Sequence, residues 1–484
     1  MGKNKEIAII FGAGPAGLTT AYELIKNSNI KPIIVEKSEF IGGMCFSKKA
    51  EGYIMDVGGH RYFTKFDNVK KWWLQFLPLQ TNPKQNNVFL YRNRISRIYF
   101  LRKLFDYPVS INFQTIKGLG LVRMIRIFFS YVRYKFFKIK PENSAEDFLI
   151  NTFGKELYET FFKDYTEKLW GVSCKDISSE WGKERIKGIS LKETLLSVIK
   201  NIFCNKNKEV DLFLYPKFGP GQIWDEVASQ IIKEGGEILL NSEVIKITQN
   251  KNKIKSITIK TKKDNKVITA DYFISSIPIK NLIKMINNVP EKIRNISDGL
   301  IYRNFRATGV LVDRMRILDK NSDKMLYDTW VYIQEKDVFM GRMQIYNNWS
   351  PYLLKDKNKV WLGFEYFVGD DDKIWNMTSS EFENLAINEA DKIGIIDKND
   401  VLMTISHKFE KAYPAYFGTY NKCEYIKKYV DGFDNLYLIG RAGMHKYINI
   451  DHVVLSGMAV VKNIVQKMPN KDNIWNIDTS KFLD

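Results

Sequence analysis

Cysteine is scarce: Cys45, Cys174, Cys204 and Cys423 are the four in 484 residues, and no two stand at CxxC or zinc spacing. That argues against a disulfide framework and a thiolate metal cage, and it suits a reducing cytoplasm. Histidine is equally scarce, and His407, His445 and His452 lack the spacing of a zinc-binding helix, so no metal site is expected. No run of about 18 apolar residues occurs, which argues against a spanning helix. No charged and apolar leader precedes the first strand at Ile7, so secretion by that route is not expected. Internal repeats and low-complexity linkers are missing as well, which predicts domains interleaved through several crossings rather than strung in series.

What is present is the balance of a folded enzyme of two or three domains: 45% hydrophobic, 14% aromatic and 27% charged residues. The formal charge of +19 favours anionic partners such as phosphates or an acidic membrane surface. Nucleic acid is not expected, because no recognised binding module accompanies the charge. Much of the excess lies in residues 92–140, where twelve Arg and Lys are mixed with aromatics and opposed by Asp106 alone. Within it, residues 119–139 carry helical apolar spacing among cations, a pattern that suits either core packing or peripheral contact with an acidic membrane at its cytoplasmic face.

The chain opens with strand, loop, helix and strand: Ile7–Phe11, the run Gly12-Ala13-Gly14-Pro15-Ala16-Gly17, a helix to about Lys26, then a strand ending at Glu36. Small residues at Gly12, Gly14 and Gly17 let the backbone approach a pyrophosphate at the helix N-terminus. Glu36 stands where a carboxylate accepts hydrogen bonds from a ribose 2′-hydroxyl and repels a 2′-phosphate, which disfavours NADP. Further glycine pairs follow at Gly42-Gly43-Met44 and Gly58-Gly59-His60, as a longer dinucleotide would require.

This arrangement resembles the large flavoprotein group of amine oxidases, protoporphyrinogen oxidase, phytoene desaturases and UDP-galactopyranose mutase. Residues 271–278 (DYFISSIP) look like that group's strand returning to the flavin domain, and residues 436–441 (LYLIGR) like its C-terminal flavin strand. The resemblance implies FAD, held by Gly12, Gly14, Pro15, Ala16, Gly17, Glu36, Lys37, Gly42, Gly43, Met44, Gly59, His60, Val244, Gly440, Arg441, Asn449 and Asp451. It implies an α/β fold in which a Rossmann-type FAD-binding domain is interleaved with a helical domain and a mixed or antiparallel sheet domain. On that pattern residues 1–92, 213–280 and 431–467 form the flavin domain, 93–212 a basic, mainly helical part, 281–430 a sheet-rich substrate domain and 468–484 a loose tail.

Within that group, several short motifs in order are similar to UDP-galactopyranose mutase. Residues 165–171 (YTEKLWG) look like its uridine- and sugar-contacting motif, which implies substrate roles for Tyr165 and Trp170. Arg185 and Arg303 match two arginines that grip a diphosphate, and Tyr447 matches a tyrosine presented to substrate. The resemblance implies a nucleotide-diphosphate sugar as substrate and a pyranose/furanose isomerisation in surface glycan biosynthesis, without net redox change. Arg185 and Arg303 would stabilise the departing diphosphate, and His60 and Tyr447 would position the sugar or relay protons. The chain departs from the mutase pattern at Gly59, Phe63, His445 and Asn449, which points away from the standard galactose enzyme. Residues 92–140 suggest a larger or differently anchored substrate. The alternative is an FAD-dependent oxidoreductase that passes hydride to oxidised flavin. A homo-oligomer is compatible with the sequence.

Overall fold

The computed structural model describes residues 5–107, 113–185 and 211–477. Its first layer is a five-stranded, wholly parallel sheet in the order Leu436–Leu438, Tyr272–Ser275, Ile7–Phe11, Lys31–Val35, Glu237–Leu239. Parallel strands need both faces covered. Ala8, Ile9, Ile10, Phe273 and Ile274 are accordingly fully buried, each Ile or Phe contributing roughly 1.5–3 kcal/mol of burial. The helix Pro15–Asn27 lies on this sheet and packs against Gly221–Lys233 and Ile450–Gln466. Its crossing with Ile450–Gln466 is close because Gly457 sits there; a Cβ at that position would stand 2.8 Å from Thr20 Oγ1.

The second layer is a seven-stranded mixed sheet: Val401–Gly418, Leu300–Val312, Val360–Val368, Arg342–Ile345, Trp330–Ile333, Ser96–Phe100, Lys103–Asp106. Successive side chains on its strands point to opposite faces, so residues far apart in sequence meet on one face. Helices Ala145–Phe153, Lys163–Trp170 and Ser179–Arg185 form a flank, with Leu121–Phe136 packed on its outside. The five strands of the parallel sheet come from three separated parts of the chain, residues 7–35, 237–275 and 436–438.

Asn265–Thr269 pairs antiparallel with Lys253–Lys260, and after a break at Ala270-Asp271 the strand Tyr272–Ser275 joins the parallel sheet. Alternating hydrophobicity does not register a change of sheet. The strand Leu212–Pro216 pairs with Phe89–Asn93, linking segments over a hundred positions apart that no local pattern connects. The tail after Met468 is docked through residue 475 rather than loose: Ile474 is buried, and Lys471 Nζ donates to the carbonyls of Phe433 (2.5 Å) and Leu436 (2.8 Å).

Candidate active site

A cleft of about 480 Å³ opens at the carboxyl edge of the parallel sheet, the place where open α/β sheets bind ligands. Its floor is backbone. Gly12, at φ +99°, donates its N–H to Val35 O at 2.9 Å, and a Cβ on Gly17 would lie 2.0 Å from Gly12 O. Gly14 caps the helix Pro15–Asn27 without a side-chain bond, leaving that helix start facing the cleft. Glu36 closes the loop: Oε2 accepts from Ala13 N at 2.8 Å, and Oε1 from Ser38 N and Oγ. The C-terminal segment meets the loop at Gly440 (φ +71°), where a Cβ would come 2.9 Å from Ala16 Cβ. Ile448, Ile450 and Val453 then bring a second helix start to the same cleft.

Of the residues expected to hold the cofactor, Gly12, Gly14, Pro15, Ala16, Glu36, Lys37, Gly43, Met44, His60, Val244, Gly440 and Arg441 line the cleft. Gly17, Gly42, Gly59, Asn449 and Asp451 stand behind it. Gly42, at φ +98°, donates to Ala13 O, Asn449 is the backbone N-cap of Ile450–Gln466, and Asp451 accepts from Thr64 Oγ1 and from His452. Lining residues that sequence reasoning missed include Ser276, Ile277, Pro278 and the strand segment 407–411. A flavin dinucleotide fits this lining. Two helix starts and glycines that admit close backbone approach suit the pyrophosphate, and a carboxylate on the cleft suits a ribose hydroxyl.

His60 lies on the cleft with its Nδ1–H donating to Gly58 O at 2.9 Å, which leaves Nε2 as an acceptor. Burial, helped by Arg441 and Arg342, pushes its pKa down to about 4, so the ring is neutral at physiological pH and does not titrate there as a near-neutral relay would. Below this turn Asp56 accepts a short bond from Tyr215, and burial raises the Asp56 carboxyl to about 8.

Beyond His60 and Gly59 lies a wall of cations and rings, of which Arg441 lines the cleft itself. Arg342 and Glu365 are cross-strand partners, with Nε 2.6 Å from Oε2 and both side chains at 7% exposure or less. Glu365 Oε1 also accepts from Gln344 Nε2 (2.6 Å) and Gly59 N (3.3 Å). Burial alone would lower the Arg342 pKa, but Glu365 holds it above the usual value, and the guanidinium stays charged. Arg342 donates to Tyr413 OH at 3.2 Å and lies 4.5 Å from the rings of Trp330 and Phe367. Tyr413 stacks on Tyr447 at 5.8 Å, and Arg441 caps the pair at 5.3 and 4.8 Å. Sequence reasoning missed Arg342 and Glu365. Their signal was a lone arginine and a lone glutamate inside apolar strands, where charges are rare unless paired.

The Tyr165–Trp170 motif sits on the helix Lys163–Trp170 beside the sheet. Tyr165 meets Tyr332 edge-on at 5.8 Å, and Trp170 is buried edge-on against Trp181 and Phe417, its Nε1 without a protein acceptor. Arg303 ties this motif down rather than standing free: Nε donates to Leu169 O (3.1 Å), Nη2 to Phe367 O (2.8 Å), and Asp372 lies 3.4 Å away. Arg185 ends the helix Ser179–Arg185, and its side chain lies outside the described residues. Among the described residues no group of three or more His, Cys, Asp or Glu is placed to hold a metal ion.

The chain is 28% identical over 182 residues to dTDP-fucopyranose mutase of Escherichia coli, covering 35% of this chain and 43% of that protein. It is 23% identical over 303 residues to L-amino-acid oxidase of Crotalus adamanteus, covering 56% and 50%. The matched stretches thus span about half, or less, of those relatives. Its fold superposes on reduced UDP-galactopyranose mutase with a TM-score of 0.80 at 21% identity, over 99% of this chain and 98% of that one. Residues 15–465 match the model for flavin containing amine oxidoreductases: the chain belongs to that family, and its cofactor is FAD.

Proposed function

We propose that this flavoenzyme isomerises a nucleoside-diphosphate sugar, interchanging ring sizes with no net redox change, in the building of surface glycans. The observation that carries the reading is the charge of the wall. Arg441 lines the cleft over Tyr413 and Tyr447, while Arg342 and Glu365 neutralise each other behind it, which leaves a net positive charge. Such a surface suits an anionic substrate bearing a planar group and disfavours a cationic amine. The mutase relative supports the same direction.

FAD supplies, when reduced, the electron-rich ring that lets an anomeric bond be broken and remade. The protein's own groups then position and discharge. His60 Nε2 accepts a hydrogen bond from a sugar hydroxyl, Tyr447 packs the sugar with Tyr413 behind it, and Trp170 and Tyr165 receive the base. Arg303 and Arg185 meet the diphosphate, Arg303 by exchanging its contact with the half-exposed Asp372. A second reading, hydride transfer from substrate to oxidised flavin, is favoured by the oxidoreductase family and the oxidase relative.

Spectral titration with UDP, dTDP and GDP sugars in both flavin redox states, followed by mass analysis, separates the two. Tight binding to the reduced form and a product of unchanged mass are expected. Bleaching of oxidised flavin with a product two hydrogens lighter would establish the second reading instead.

A further inference from the structure

The helix Leu121–Phe136 has two incompatible faces. One is anchored: Ile127 is buried, Ser130 Oγ accepts from Glu156 N at 3.1 Å, and Gly154 lets the next helix approach so closely that a Cβ there would lie 2.7 Å from Tyr131 N. Arg123 points to the same side, lining a groove with Glu156 and Glu159. On the other face Leu121, Val122, Ile125, Phe128, Phe129 and Phe136 recur at helical spacing, about 22 Å of continuous apolar stripe. These side chains are in solvent: Phe128 is 59% exposed, Phe129 66%, Phe136 74%, and Phe137 just beyond the helix 76%.

Cations flank the stripe. Arg126, Arg133, Lys135, Lys138 and Lys140 are all exposed, and no Asp or Glu occurs between residues 121 and 140. A single exposed leucine needs no explanation, but a long apolar stripe on one helix marks a docking surface. A second copy of the chain meeting this face about a twofold axis would set arginines and lysines against the same arginines and lysines. An acidic bilayer complements both features at once, taking the rings below the headgroups and the cations among them. We propose that residues 121–140 dock this enzyme in the plane of an anionic membrane. No described helix is long and apolar enough to cross one, so the attachment is peripheral.

The experiment uses the full-length, flavin-loaded protein and sedimentation with vesicles of phosphatidylcholine, with or without phosphatidylglycerol. Binding to the acidic vesicles alone is expected, weakening as salt is raised. Phe128→Ser/Phe129→Ser/Phe136→Ser, all at exposed positions, should abolish sedimentation while leaving the flavin spectrum unchanged. Arg126→Gln/Arg133→Gln/Lys135→Gln should lower the partition coefficient about 100-fold, roughly fivefold per charge. The same charge removed elsewhere, in Lys251→Gln/Lys255→Gln/Lys263→Gln, should change it less than twofold. Equal losses in both charge variants, or no binding to acidic vesicles, would overturn the proposal. It would also fall if the phenylalanine variant turned a dimer into a monomer while vesicle binding stayed the same, since the face would then belong to a second copy.

Discussion

The floor and the wall of the cleft are built by opposite means. The floor is backbone from contiguous residues, Gly12 to Gly17, shaped by what those positions lack: a Cβ at Gly17 has no room beside Gly12 O. The wall is side chains from four strands, a short helix and the loop after it, Trp330, Arg342, Glu365, Tyr413, Arg441 and Tyr447, held by a buried ion pair and stacked rings. A site made of absent side chains tolerates almost no addition. One made of paired side chains tolerates joint replacement far better than loss of one partner.

The largest effect should therefore come from the smallest substitution. Gly17→Ala forces a Cβ onto a backbone oxygen 2.0 Å away, so the loop or the helix must move, at a cost on the order of 4–5 kcal/mol. Purified protein should be flavin-free or insoluble, read as the ratio of flavin to protein absorbance. Gly14→Ala makes the contrast sharp, since its nearest neighbour would be Gly43 Cα at 3.9 Å and its φ is an ordinary −79°. That variant should fold and bind flavin more weakly. Equal damage from both would show that the floor is limited by ligand contact and not by its own packing.

On the wall, Arg342→Met leaves Glu365 charged, fully buried and short of its cation, which should cost about 3–5 kcal/mol and lower the melting temperature. The joint replacement Arg342→Met/Glu365→Gln removes the stranded charge, and most of the stability should return while turnover does not. Loss of activity without recovery of the melting temperature would mean that Gln344 and Gly59, not Arg342, compensate Glu365.

This contrast also decides what could be read in the sequence. The floor was legible because its chemistry is local: strand, glycine loop, helix and Glu36 occur within thirty positions, and Gly12 and Gly17 answer steric needs of the loop itself. His60, Arg441 and Tyr447 were reached through motifs of the same local kind. Arg342 and Glu365 were not, because their meaning lies in a cross-strand register joining residues 23 positions apart. Arg303 was read as an arginine that grips a diphosphate. Only the fold shows that the carbonyls of Leu169 and Phe367 take it up.

The smallest effect belongs to the seam between floor and wall, where His445 stands in place of a tyrosine of the mutase pattern. His445 is buried, with Nε2–H donating to Ala415 O at 3.0 Å, Nδ1 buried without a partner and the ring edge-on to Tyr302 at 4.7 Å. Burial brings its pKa down to about 4 from 6.5, against which the bond to Ala415 acts only weakly. The unfolded chain thus takes a proton below pH 6.5 that the folded chain refuses. The stability from this group is whole above pH 6.5, falls as pH drops and levels off below about 4, a loss of roughly 3–4 kcal/mol. His445→Gln keeps a donor for Ala415 O but cannot titrate. Its melting temperature should fall less between pH 7 and pH 4.5 than that of the parent protein. Parallel curves would move the acid sensitivity to His60 or His407, whose pKa values are also pushed down to about 4, and so from the seam to the cleft.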